Sequence, residues 1–287
     1  MAFRYLAEAR LYRYLGEYDA FVQLEEVAIR RFVHAITESS APRDFVIQEA
    51  KAHGINVTVV PTQAFLINAA QTNIVVTYQS ADQFISEFRA EFELLHRDTW
   101  PAKGDRDSAF DHLIRSLRIP VPDVERALGK LSIEVFDYYR LVRNLATHRY
   151  DPDEEGQWET AEAASGRERE RVDSKLKRIR ERFGDQLPTF CGRLAAPNAY
   201  DELTFDDFIL STRNIKRIAS ALSMLTRPTD ENLAAALEPA ALRFYRKEPH
   251  NVDRVRRRIS GEARSRFGID QAEADRVASI WVEPPAR

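Results

Sequence analysis

Apolar residues recur every three or four positions over most of this chain, the periodicity of helices with one buried face. The first run holds Phe3, Leu6, Leu11, Leu15, Phe21, Leu24, Val27, Ile29, Phe32, Val33 and Ile36. It predicts a helix over 3–36 that Gly16 kinks or divides and that Ser39, Ser40 and Pro42 end. The pattern then changes. Asn56–Val60 and Asn73–Tyr78 are β-branched and bounded by Gly54, Pro61 and polar residues, which predicts two strands of a small ribbon. Residues 64–70 between them read as a helical turn or a third short strand. Ser80 suits the N-cap of a helix over 81–96, with Phe84, Ile85, Phe88, Phe92 and Leu95 on one face. A short helix follows over 109–117, and the breaker Ile119-Pro120-Val121-Pro122 separates it from a long one over 123–148.

Beyond that helix the composition shifts. Residues 151–166 carry six acids and no basic residue, which reads as a solvated loop. Residues 167–182 carry eight Lys or Arg and four acids, a charged helix with few apolar anchors. A last long helix, capped by Thr204 or Asp206, runs over 204–226 to a stop at Pro228, and short helices separated by Pro239, Pro249 and Gly268 complete the chain. The expected fold is all-α: four main helices (3–36, 81–96, 123–148, 204–226) bundled together, a small β-like insertion, and a helical C-terminal extension. The expected division is a bundle over 1–228, with insertions at about 55–78 and 151–190, and a basic extension over 229–287.

With 287 residues, 44% hydrophobic and 30% charged, the chain is long enough for a core, and its composition is expected of neither a disordered chain nor a membrane protein. Its apolar runs are far shorter than a membrane span needs, and Arg4, Glu8, Arg10 and Arg13 interrupt any signal-peptide core. A single cysteine, Cys191, forms no internal disulfide. The cytoplasm is the expected location. Net charge is −3, which does not single out a nucleic-acid binder. That figure averages unlike pieces, however. Between Leu242 and Gly268 there are nine Lys or Arg and three acids, with Phe244 and Tyr245 as stacking surfaces. Arg254, Arg256, Arg257 and Arg258 form the densest part of this candidate RNA-binding patch. A solvated helix face is the competing reading of the same residues.

Motifs for phosphate loops, dinucleotides and serine nucleophiles are missing, and the six histidines include no pair at the spacing of a helical metal site. What remains is Arg143-Asn144-Leu145-Ala146-Thr147-His148-Arg149-Tyr150, at the end of the third main helix. An Arg followed by His after four to six residues occurs four times in the chain, so bare spacing decides nothing. Asn after the Arg and Tyr two residues after the His make this copy specific. Its nearest competitor, Arg106-Asp107 with His112, sits at the start of a short helix.

This pattern resembles the catalytic motif of the HEPN superfamily, small helical domains that include many metal-independent ribonucleases of toxin–antitoxin, CRISPR-associated and phage-defence systems. The resemblance covers the motif closely and residues 1–228 loosely. It implies an endoribonuclease without metal or other cofactor, working on an RNA substrate as a homodimer with a composite cleft, with an antitoxin nucleotidyltransferase or a defence protein as a possible partner. It implies that His148 is general base or acid, that Arg143 stabilises charge on phosphate, and that Asn144 orients His148 or substrate. Tyr150 would contact phosphate or base, or be the target of nucleotidylation. Helical geometry bears on this: Arg143 and His148 are about 140° apart around the axis, whereas Arg140, Asn144 and His148 share a face. One straight helix does not focus Arg143 and His148 on one phosphate, and a two-fold axis would. The competing reading makes His148 and Arg149 cations that compensate the helix dipole and Tyr150 a packing residue. The other expected reading is a non-catalytic helical module that binds RNA or protein.

Overall fold

The structure, a computed structural model, describes residues 3–104, 108–147, 158–184, 197–248 and 250–281, and it is all-α. The helices are α1 (Leu6–Glu38), α2 (Pro42–Ala52), α3 (Thr62–His96), α4 (Ala109–Ser116), α5 (Val121–Leu128), α6 (Lys130–Thr147), α7 (Trp158–Phe183), α8 (Phe205–Leu225), α9 (Asp230–Ala236), α10 (Glu238–Lys247), α11 (Val252–Phe267) and α12 (Gln271–Ser279). A 3₁₀ turn, Tyr200–Glu202, precedes α8. No strand occurs among the described residues. The chain divides into two compact units, one of residues 1–13, 81–130 and 216–287, the other of residues 14–80 and 131–215. Helices α1, α3 and α8 contribute to both. The residues expected as a C-terminal extension, 229–287, group with 1–13 and 81–130.

The first unit is organised around Tyr5. Its ring meets Phe3 and Phe88 edge-on at 4.9 and 4.8 Å, and its hydroxyl donates to the Thr226 carbonyl at 2.7 Å and lies 3.1 Å from His96 Nε2. Burial pushes the Tyr5 hydroxyl pKa well above its ordinary value. Beside it, the backbone N–H groups of Leu6 and Ala7 both donate to the Glu91 carboxylate at 3.0 Å. A side chain from α3 thus satisfies donors that every helix N-terminus leaves open, with its negative charge at the positive end of the α1 dipole. The short C-terminal helices carry their own caps: Thr229, Asn251 and Asp270 accept from the backbone of Asn232, Arg254 and Glu273, and Gly268 closes α11 with φ 66°.

The second unit is built on α6, whose buried residues are Ser132, Val135, Phe136, Tyr138, Tyr139, Leu141, Val142 and Leu145. Ala70 and Ile74 of α3, Val172, Leu176 and Ile179 of α7, and Tyr200, Leu203 and Leu210 complete the same core. Asp207 is fully buried at the start of α8. It accepts from Tyr139 Oη, from the Asn198 backbone and side chain, and from the Thr204 backbone at 2.7–3.0 Å, so its buried charge is fully hydrogen-bonded.

Several expectations need correction. The ribbon is absent: 73–78 lies inside α3, which begins at Thr62, and 55–61 is non-helical without strand pairing. The β-branched run also fits a four-residue step, and Ala70, Ile74, Tyr78 and Ala81 are all buried, so tertiary burial outweighs β propensity. Ser80 caps nothing; its hydroxyl donates back to the Val76 carbonyl at 3.0 Å. Gly16 leaves α1 unbroken. The helix expected over 123–148 is two helices, parted by Gly129 at φ 84°, a backbone conformation that favours glycine. Residues 158–166, expected as loop, are helical, while 151–157 lie outside the described residues. Pro42, Pro122 and Pro239, read as stops, sit in the first turns of α2, α5 and α10, where a missing N–H costs nothing.

If Ile74 is a core residue of α3 and not part of an exposed ribbon, Ile74→Ala leaves a cavity and lowers unfolding free energy by about 3 kcal/mol. Urea denaturation followed by circular dichroism checks this, and a loss below about 0.5 kcal/mol contradicts the buried placement.

Candidate functional site

The C-terminal turn of α6 carries the first half of the sequence motif. Its apolar positions are taken by the core, so the polar residues between them are half-buried and find partners close by. The Arg143 guanidinium lies 5.2 Å from the Tyr78 ring centroid, a cation–π contact with α3, and its Nη1 donates to Asn144 Oδ1 at 3.0 Å. Thr147 then closes the helix by donating its hydroxyl to the Arg143 carbonyl at 2.9 Å. The structure therefore brings Arg143 and Asn144 together at a helix end. His148 and Tyr150, the other motif residues, lie outside the described residues.

Arg140, expected as a substrate contact, binds Asp137 through Nε at 2.8 Å and Nη2 at 2.6 Å. Asp137 also meets Lys175 Nζ at 2.6 Å, Lys175 reaches Glu134 at 2.6 Å, and Arg182 reaches Glu134 at 3.2 Å. This chain of five charges ties α6 to α7, and Lys175, at 6% exposure, is its buried centre. Burial alone would raise the Asp137 pKa, but the cations of Arg140 and Lys175 hold it below the usual carboxylate value.

Near the end of α6 a cavity of about 680 Å³ is lined by Gln63, Ile67, Asn68 and Gln71 of α3, Leu145 of α6, Arg169 of α7, and the Tyr200–Asp201 turn. Gln71 is buried and donates to the Tyr200 carbonyl at 3.3 Å. Arg169 lies over the Tyr200 ring at 5.2 Å and binds Asp201 through both terminal guanidinium nitrogens, Nη1 and Nη2. Amides beside an apolar wall can hold a flat polar ring by its edge. The sequence did not point to these residues: residues 64–70 read as a helical turn or a third short strand beside the ribbon, and Arg169 and Asp201 are 32 positions apart. Among the described residues no group of three or more His, Cys, Asp or Glu side chains is placed to hold a metal ion.

The basic patch falls on α11. Arg254 and Arg258 both grip the Glu248 carboxylate, at 3.0 and 2.8 Å, and Arg258 lies 5.8 Å from the Phe244 ring. Arg256 is half-buried, whereas Arg257 is exposed, with Nε 3.4 Å from the Asp253 carbonyl. The four arginines thus do not act as one cluster. Arg254, Arg257 and Arg264 instead follow one exposed line along the helix. Among the described residues no helix is long and apolar enough to cross a membrane. No family model, no curated protein and no solved structure matches this chain.

The charge chain makes two predictions. Lys175→Met strands two carboxylates with one cation each, and we expect a loss of about 3 kcal/mol in unfolding free energy at pH 7. Asp137→Asn is less stable than wild type at neutral pH. Because the folded-state pKa is depressed, that gap is present above the unfolded value near 3.9 and is lost as pH falls through the folded one. Denaturation curves from pH 7 to about 3 check it; a gap that persists in acid, below both pKa values, contradicts it.

Proposed function

We propose that this chain is an endoribonuclease of the HEPN type, one that cleaves RNA without a metal ion in a bacterial toxin–antitoxin or phage-defence system. One observation carries the reading. Arg143 and Asn144 are in contact in the last turn of a core helix that ends at Thr147, one residue before His148 in the sequence. A half-buried guanidinium is poorly solvated, so it acts on a phosphate more strongly than a fully exposed one.

The reaction is transesterification. A base removes the ribose 2′-hydroxyl proton, the 2′ oxygen bonds to the adjacent phosphorus, and the bond from phosphorus to the 5′ oxygen breaks. The leaving oxygen takes a proton, giving a 2′,3′-cyclic phosphate and a 5′-hydroxyl. His148 exchanges these protons, since an imidazole titrates near neutrality. Arg143 stabilises the charge that grows on the phosphate oxygens. Asn144 holds Arg143 or orients His148, and Tyr150 contacts phosphate or base. Two copies of the motif across a two-fold axis supply Arg143 and His148 to one phosphate.

The test is purified full-length protein with tRNA or total RNA in EDTA. Cleavage to cyclic-phosphate ends is expected, lowered about 10²–10⁴-fold by His148→Ala. Arg143→Lys, which keeps the cation over Tyr78 but loses the two-pronged donor, is expected to lower it at least about 10-fold. No cleavage, or equal cleavage by His148→Ala, overturns the reading.

A second reading, a non-catalytic RNA-binding module, rests on the exposed Arg257 and Arg264, one above the other on α11. It expects His148→Ala to keep RNA affinity. Arg257→Ala and Arg264→Ala would each flatten the dependence of log affinity on log salt by about one unit, measured by fluorescence anisotropy. Unchanged slopes remove that reading.

A further inference from the structure

Over residues 14–38, helix α1 buries one face in the second unit. Leu15, Val22 and Ile29 are buried, and the Tyr18 hydroxyl donates to Asn73 Oδ1 at 2.7 Å. The opposite face should be polar, yet it exposes Phe21 at 62%, Leu24 at 72% and Val27 at 57%. Large apolar groups concentrated on one exposed helix face mark an interaction surface.

The arrangement of that face is specific. Residues seven apart lie almost directly above one another on a helix, so three lines run along it. Glu17, Leu24 and Arg31 form the central line. Ala20 and Val27 form one flank, and Phe21 and Ala28 the other. All seven are exposed. Place a second copy antiparallel, with a two-fold axis at Leu24, and each flank meets its own counterpart. Leu24 then faces Leu24, Phe21 faces the small Ala28, Val27 faces the small Ala20, and Glu17 faces Arg31 at both ends. A parallel pairing would instead set Glu17 against Glu17 and Arg31 against Arg31 on the central line. The large flank residues meet small ones in the antiparallel pair, and charge is self-complementary in that orientation only, as a two-fold interface requires.

We infer that α1 is a self-association surface and that its occupant is the α1 helix of a second copy, antiparallel and centred on Leu24. The seam from Glu17 to Arg31 is about 22 Å long. A single helix pair buries an area at the lower end of stable interfaces, so the dimer forms and separates with concentration. This surface is distinct from the end of α6, and the inference stands or falls independently of any ribonuclease activity.

The test is sedimentation velocity of the full chain from about 1 to about 200 µM. The mass is expected to rise from 33.0 kDa toward twice that value. Leu24→Glu, at a solvent-exposed position, is expected to weaken association at least about 10-fold, with helix content by circular dichroism unchanged. Glu17→Arg and Arg31→Glu each place like charges together and weaken association. The double variant Glu17→Arg/Arg31→Glu restores it to within about 3-fold of wild type. A chain that stays monomeric throughout, a dimer indifferent to Leu24→Glu, or a double variant no better than the singles overturns the proposal. A dimer formed through the motif at the end of α6 would not respond to the charge swap.

Discussion

Burial of α6 is the constraint on which the second unit depends. Val135, Phe136, Tyr138, Tyr139, Leu141, Val142 and Leu145 place apolar surface around most of its circumference. On a helix so enclosed, the half-buried charged side chains must each find a partner where they stand. Asp137 does so against Arg140 and Lys175, Glu134 against Lys175 and Arg182, and Arg143 against the Tyr78 ring and the Asn144 amide. The same pressure that packs the core therefore locks the polar residues that precede the helix end.

Helix N-termini in this chain are satisfied by two different means. The short helices α9, α11 and α12 are capped by Thr229, Asn251 and Asp270, using residues next to the helix they cap. The N-terminus of α1 is capped from a distance by Glu91, and the start of α8 is held by the buried Asp207 and its five donors. Local caps are legible in sequence because donor and acceptor are three residues apart. The Glu91 cap has no such signature, since its partners lie more than 80 positions away.

The candidate site shows the same split. Arg143 and Asn144 were legible because their types, their order and their place near a helix end are local features. The partners that tie down Arg140 were not: Asp137 is a neighbour, but the Lys175 that completes the pair comes from another helix. In the basic patch, Glu248 takes up Arg254 and Arg258, so charge counted along the chain overstated the number of arginines open to a ligand. The cavity beside Leu145 depends on α3 starting at Thr62, which the β-branched composition concealed.

By itself, the sequence determined that this chain is predominantly helical, where most helices lie, and which short motif could carry chemistry. Those follow from periodicity and from near neighbours. Only the tertiary structure decided that Ile74 and Tyr78 belong to a helix, that Gly129 separates two helices, and that Lys175 centres a buried network. The physical reason is the same in each case. A β-branched run satisfies two periodicities until a neighbouring surface buries one of them, and a charge acquires its role only when folding brings up its partner.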